Sequence, residues 1–341
     1  MDKVRFGKTE IMVSKIAFGG LPIQRLGMQE AAEVVRRAID LGINFIDSAN
    51  NYTDSEEKIG LAIKGIPRDS LVLTTKSAAS DKKTFLEHID LSLKRLGTDY
   101  IDIYQHHLIL SRANYDEIMG EGGAFEGMME AIRAGKVRFP AFSCHSVSTA
   151  VEIMRDGKFS AVQLPFNYVD DEAVKEAIPL ARELDMGIIA MKPFGGGMLN
   201  DAGLSIKYFC QFDGVVPDPG IEKLSEIEEI VRIAESGQKL SEEDMSAIMA
   251  IRAEMGSNWC HRCDYCLPCR QNIYISGALT VDSMIKRMPM RQLSVIAAQN
   301  MENARGCIAC LDCVGRCPYN LDIPELLKEK LAIWDRFLAT Q

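Results

Sequence analysis

Asn44-Phe45-Ile46-Asp47-Ser48-Ala49-Asn50-Asn51-Tyr52 opens the stretch whose reading decides the fold. A short apolar strand at 44–46 runs into a polar loop, an amphipathic segment follows at 55–64, and a second apolar run comes at 71–75. Strand, crossover helix and strand in that order predict two parallel neighbours in one sheet. The unit repeats in both directions. Apolar runs recur at 15–19, 44–46, 71–75, 101–105, 138–143, 161–164, 187–191 and 214–216. Amphipathic segments lie between them at 28–41, 55–64, 82–96, 125–134, 148–155 and 170–184. Eight strands alternating with helices fit an α/β fold of the (β/α)8 TIM-barrel type better than an open Rossmann sheet.

Ahead of the first strand, residues 4–13 alternate around Gly7-Lys8-Thr9 and read as a hairpin that caps the barrel floor. The segment 201–213 is short and ambiguous for a seventh helix. Alternation stops after Glu235, and polar helical stretches at 222–235 and 241–255 lead onward. The domain boundary is therefore expected near Gly237, with a barrel over 1–236 and a helical second domain over 237–341.

That second domain holds eight of the ten cysteines in two runs: Cys260, Cys263, Cys266, Cys269, then Cys307, Cys310, Cys313, Cys317. The second run is C-x2-C-x2-C-x3-C-P, the spacing of bacterial iron–sulfur ligands, in which the fourth cysteine serves the other cluster. Two 4Fe-4S clusters are expected, with Cys317 completing the first and Cys269 the second. Zinc is the alternative, but its ribbons separate two C-x2-C pairs by a longer loop. Residues 276–303, between the runs, are Met-rich and helical in pattern.

A net charge of −9 offers no electrostatic reason for a nucleic-acid or anionic-membrane partner. The charged start, Met1 to Gly7, lacks a secretory apolar run, and no later stretch is long and apolar enough to span a bilayer. Cysteines clustered at metal spacing fit a reducing compartment, so a cytoplasmic protein is expected.

Catalytic groups of a barrel sit at the C-terminal ends of its strands. Asp47 ends the second strand, Lys76 the third and His107 the fourth, and Tyr52 lies in the loop after Asp47. A tyrosine can give a proton to a carbonyl if a nearby ammonium lowers its pKa and a carboxylate orients that ammonium. Tyr52, Lys76 and Asp47 supply that set, and His107 would orient the carbonyl oxygen. Singly, each has an ordinary structural role: a loop cap, a strand-end charge, a packed aromatic, a wall histidine. His106 competes with His107, but alternation sends neighbours to opposite faces.

On these residues the chain resembles the aldo/keto reductase family, in the branch with a C-terminal ferredoxin-like iron–sulfur domain. The resemblance covers nearly the whole chain. Its carriers are Phe6-Gly7-Lys8-Thr9 with Val13-Ser14, Gly42 through Ala49 leading to Tyr52 and Ser55-Glu56, Thr75-Lys76, Tyr100-Ile101-Asp102 through His107, and Gly135-Lys136-Val137-Arg138. It implies that Asp47, Tyr52, Lys76 and His107 are a catalytic tetrad working with a nicotinamide cofactor stretched across the barrel mouth. It further implies that Gln163 and Ser143 hold the nicotinamide carboxamide, although Cys144 stands where asparagine is usual. Met191 replaces the aromatic that commonly stacks on the ring; a thioether can also pack a ring face. Gly195 and Gly196, in the run that ends at Gly197, could admit a pyrophosphate through backbone amides.

From Gly220 the chain departs from the family's adenosine-phosphate segment, with Glu222 and Glu226 flanking Lys223. Carboxylates repel a 2′-phosphate, which favours NAD(H) over NADP(H). Two functions follow. One is an oxidoreductase acting on a small-molecule carbonyl or alcohol substrate. The other is an electron-transfer or redox-sensing protein whose barrel docks a one-electron carrier.

Overall fold

Side chains alternate in and out along each strand, and this lets eight short strands enclose a core. In the computed structural model, which describes residues 1–255 and 258–340, β1 (Lys3–Arg5) and β2 (Met12–Ser14) pair antiparallel across a 3-10 turn at Gly7–Thr9. This is the expected hairpin. Then come β3 (Phe18–Gly19), β4 (Phe45–Asp47), β5 (Val72–Ser77), β6 (Ile101–His106), β7 (Val137–Ser143), β8 (Ala161–Pro165), β9 (Gly187–Met191) and β10 (Val215–Asp218), parallel neighbours in chain order. Ala17 N donates to Pro217 O at 2.9 Å, Gly19 N to Pro219 O at 2.9 Å and Ile221 N to Gly19 O at 3.3 Å. These bonds join first strand to last, so the sheet closes as a TIM-type barrel.

Helices α1 (Met28–Asp40), α2 (Ser55–Ile63), α3 (Lys82–Leu96), α4 (Arg112–Met119), α5 (Ala124–Arg133), α6 (Val147–Arg155), α7 (Ala177–Glu183), α8 (Ala202–Phe209) and α9 (Leu224–Glu235) lie between and after the strands. Two differ from expectation, and a third decides an open reading. The stretch 108–121, outside the amphipathic segments read from the sequence, contains α4, which Ser111 caps by accepting from Asn114 N at 3.2 Å. Only Tyr115 and Ile118 of that helix are buried, so its amphipathic signal is faint. α7 is much shorter than 170–184, because Asn167 Oδ1 accepts from Val169 N and Asp170 N, each at 2.8 Å, and ties a turn there. The mixed segment 201–213 does form a helix, α8, capped by Asp201 accepting from Leu204 N at 2.8 Å.

The barrel floor is one apolar layer: Ala17, Phe45, Val72, Ile103, Ala141, Ala161, Ile189 and Val216, closed from below by Phe6 and Val13 of the hairpin. Gly187 makes room for Phe6, whose ring a Cβ there would meet at 2.3 Å.

Contacts divide the chain into Met1–Gly195 with Leu199–Leu240, and Gly196–Met198 with Ser241–Gln341. The second unit contains α10 (Glu242–Met255), α11 (Ile275–Leu279), α12 (Val281–Arg287), α13 (Met290–Ile296), α14 (Ala298–Arg305), α15 (Asp312–Arg316) and α16 (Ile323–Leu338). The helical pattern at 276–303 is thus broken into short pieces. Trp334 of α16 is buried with Leu326, Leu327, Leu279 and Leu293 in the core of this unit. Among the described residues, no helix is long and apolar enough to cross a membrane.

On the outer face of β6, His106 stacks on Phe85 with ring centroids 4.6 Å apart and lies near Phe125 and Phe159. Neither ring nitrogen has a hydrogen-bond partner among the described residues. Burial pushes its pKa down to about 3. An unfolded histidine protonates near pH 6.5, so below that pH the unfolded chain takes up a proton that the fold refuses. The contribution is whole above about pH 6.5 and is lost as pH falls toward 3. His106→Phe should flatten the acid-side fall in stability by up to about 1.4 kcal/mol per pH unit, as read from urea unfolding at a series of pH values. Identical slopes for the two proteins would mean that His106 titrates freely in the fold.

Candidate active site and cluster cavities

Above the apolar floor the inward positions turn polar. Asp47 on β4 stands opposite Thr74 on β5, and Lys76 opposite Gln105 on β6. Lys76 Nζ lies 2.5 Å from Asp47 Oδ2 and donates to Ser48 O at 2.6 Å. Burial works against the ammonium, but Asp47 first, then Tyr52 and Asp218, outweigh it, and the pKa moves up. Lys76 therefore stays charged although it is only 2% exposed.

Tyr52 comes from the loop after β4. That loop is held by Tyr52 N donating to Ala49 O at 2.9 Å and Ser55 N to Tyr52 O at 2.8 Å. Lys76 Nζ lies 5.3 Å from the centre of the Tyr52 ring, and the His107 ring meets it edge-on at 5.8 Å. His107 follows β6 directly, its backbone N–H bonded to Ser77 O at 2.8 Å. Its Nδ1 is buried without a partner among the described residues. Burial, and then the Lys76 charge, push its pKa down to about 3, so the ring is neutral at physiological pH. The structure thus brings together the four residues named from sequence, and it turns His106 to the opposite face.

The other sequence candidates divide. Gln163 is buried on β8, its amide nitrogen 2.9 Å from Asp218 Oδ2 and 3.4 Å from Asp47 Oδ2. Ser143 ends β7 and accepts from Leu108 N at 2.7 Å. Cys144 is wholly buried with its thiol on Ser146 O at 3.2 Å. Met191 ends β9, partly exposed, opposite Asp218. Gly195, at φ +56, donates to Lys192 O at 2.8 Å.

Two glycines have packing reasons of their own. A Cβ on Gly220 would stand 2.8 Å from the Pro22 ring. Gly196 belongs to the second unit, where its carbonyl accepts from Ser283 Oγ at 2.8 Å and a Cβ would stand 2.3 Å from that oxygen. At the start of α9, Glu226 Oε2 accepts from Glu222 N at 2.9 Å and Lys223 N at 3.1 Å. Glu222 itself lies 3.6 Å from Arg25 Nε, and burial lifts its pKa.

Two polar residues escaped the sequence reading. Asp218 lies two residues beyond the expected end of the last strand, between Pro217 and Pro219; continuing the alternation from Val216 would have turned it inward. Gln105, at an inward strand end, donates to Thr74 Oγ1 at 3.0 Å and Asp47 Oδ1 at 3.4 Å.

In the second unit the cysteines surround two cavities. One is lined by Cys260, Cys263, Cys266 and Cys317, with His261 and Tyr319 stacked at 3.8 Å on its wall. The other is lined by Cys269, Cys307, Cys310 and Cys313. Each cavity thus takes three thiols from one run and the fourth from the other, the arrangement the spacing predicts. Among the described residues, no three His, Cys, Asp or Glu side chains converge closely enough to hold a single ion. Four thiols spread around a cavity suit a multinuclear cluster.

Comparison with known proteins agrees with this geometry. The model of the aldo/keto reductase family matches residues 15–236, and that of a 4Fe-4S dicluster domain matches 259–322. The chain is 27% identical over 222 residues to "Probable aldo-keto reductase 1" of Glycine max, covering 60% of this chain and 62% of that protein. It is 30% identical over 201 residues to "Aldo-keto reductase YhdN" of Bacillus subtilis, covering 54% and 59%. The chain therefore spans less than two thirds of the length of these relatives. A solved aldo-keto reductase from Klebsiella pneumoniae in complex with NADPH superposes with a TM-score of 0.63 at 22% identity, over 74% of this chain and 95% of that one. At that identity the likeness is one of fold.

Two four-iron clusters require about eight iron and eight sulfide per chain, measured after anaerobic purification. Cys317→Ser and Cys269→Ser should each impair a different cluster, whereas Cys144→Ser and Cys210→Ser, outside both cavities, should leave the content unchanged. Zinc without sulfide would overturn the assignment.

Proposed function

Because this chain belongs to the aldo/keto reductase family and carries a 4Fe-4S dicluster segment, we propose that it interconverts a small carbonyl compound and its alcohol by hydride transfer with a nicotinamide dinucleotide, and that Tyr52 is the proton donor. The observation that carries this is the charged Lys76 sealed in the barrel against Asp47, with the Tyr52 ring beside its ammonium. A free tyrosine, with a pKa of about 10, matches neutral pH poorly, and an adjacent fixed cation favours the phenolate and so eases proton release. Asp47 keeps that cation in place. His107, held neutral, can bond a carbonyl oxygen without competing as the acid.

When bound, the nicotinamide supplies the hydride, or accepts it in the reverse direction. Gln163 and Ser143 would hold its carboxamide, Met191 would pack against the ring, and the backbone at Gly195 and Gly220 would approach the phosphates. NAD(H) is the preferred form in this reading. Glu226 already engages the amides of Glu222 and Lys223 just ahead of α9, and the neighbouring Arg25 is committed to Glu222, which leaves a 2′-phosphate facing carboxylates. We take the barrel as 1–236 and the iron–sulfur domain as 237–341. The two cysteine-lined cavities favour a second reading, in which the chain also exchanges single electrons with a carrier protein.

Tyr52→Phe removes only the hydroxyl. Cofactor binding should survive while single-turnover hydride transfer on a screened carbonyl substrate falls by roughly 10²–10⁴. Lys76→Met should behave alike, and the double variant should be no worse than either single one, because the groups act as a unit. Near-normal turnover in Tyr52→Phe would move the chemistry away from this site. Fluorescence titration with both reduced dinucleotides should show tighter binding of NADH, and tighter NADPH would refute the reading of the Glu222–Glu226 segment.

A further inference from the structure

Gln163 projects from β8 with its amide nitrogen between two carboxyl groups, 2.9 Å from Asp218 Oδ2 and 3.4 Å from Asp47 Oδ2. A primary amide nitrogen has two hydrogens, so both are engaged. The reversed amide would set its carbonyl oxygen against Asp47, an ionised acceptor paired with Lys76, so the contacts themselves dictate the orientation. What remains is Gln163 Oε1, buried and without a partner among the described residues. A buried acceptor in that condition is unfavourable until a donor meets it.

Asp218 reaches this position from β10 because Gly19, on the neighbouring strand, has no side chain. A Cβ on Gly19 would stand 2.9 Å from Asp218 Oδ1 and 2.7 Å from Pro219 O. Asp218 is buried, and its Oδ1 also lacks a partner among the described residues. Burial, then the charge of Asp47, hold its pKa well above the usual carboxylate range. Oδ2 is the oxygen that accepts from Gln163.

We propose that Asp218 is a positioning residue: it pins the amide of Gln163 so that only the carbonyl oxygen is left for a ligand, which makes the site select a carboxamide N–H donor on the bound ring. This rests on the nicotinamide reading above. Without Asp218, Gln163 keeps a single long contact to Asp47 and can turn its NH2 toward a ligand carbonyl instead. The choice between donor and acceptor, and not affinity as such, is what Asp218 controls.

The test compares dissociation constants of NAD+ and its 3-acetylpyridine analogue, in which a methyl replaces the amide NH2, on anaerobically purified full-length protein. The wild type should prefer NAD+ by on the order of ten- to a hundredfold, the worth of a donor to a buried acceptor. In Asp218→Leu the two ligands should bind almost equally. Asp218→Asn, which keeps an acceptor oxygen, should preserve the preference. A wild type without preference, or Asp218→Leu retaining it, overturns the proposal.

A ligand-free arm separates this from the nicotinamide reading. Gln163→Glu places a third carboxylate beside two others and should lower the melting temperature, and adding Asp218→Asn should raise it again. Simple additivity of the two substitutions would refute the clamp itself. Coupling between them, in a protein that binds neither dinucleotide, would uphold the clamp while overturning the nicotinamide reading and the carboxamide selectivity built on it.

Discussion

An ammonium group enclosed in a barrel is tolerable only if other charges hold it, and the upper half of this barrel is arranged around that requirement. Lys76 is nearly inaccessible, yet it keeps its proton because Asp47 contacts it directly and Ser48 offers a carbonyl oxygen. Removing one partner of such a pair would leave an uncompensated buried charge, which is strongly unfavourable. The carboxylate that answers the ammonium then has to be satisfied in turn, by Gln105 on one oxygen and Gln163 on the other. A single cation thus accounts for the polarity of neighbouring strand ends.

The two halves of the barrel interior divide the work. The lower layer is apolar and closed by Phe6, which packs edge-on against Phe45 at 5.2 Å. It supplies burial without polar atoms to satisfy, and so carries the polar layer above it. The aldo/keto reductase family assignment, the closed sheet and the polar strand ends all bear on the same end of these strands, where barrel chemistry is sited.

Much of this was legible in the residues, and the exceptions have physical causes. Period-two alternation and strand ends located Asp47, Lys76 and His107, because in a barrel those features also determine which side chains point inward. The same alternation, continued from Ile103 and Gln105, turns His107 inward and leaves His106 to stack on Phe85 outside. Asp218 was hidden by flanking prolines, which read as the end of a strand although the backbone stays paired with β9 through Asp218. α4 has too narrow a buried face to announce itself. In the second domain the methionines at 276–303 keep a helical spacing across breaks, such as Pro289 at the head of α13, that hydrophobic period alone passes over.

The crosswise sharing of cysteines has a consequence for how the second domain is put together. Cys317 leaves the run that lines one cavity to line the other, and Cys269 makes the opposite journey. With clusters in place, neither can depart without releasing the strand of chain that anchors its neighbour. Clusters seated there would each tie the two runs together, so that loss of one would loosen the segment that holds the other.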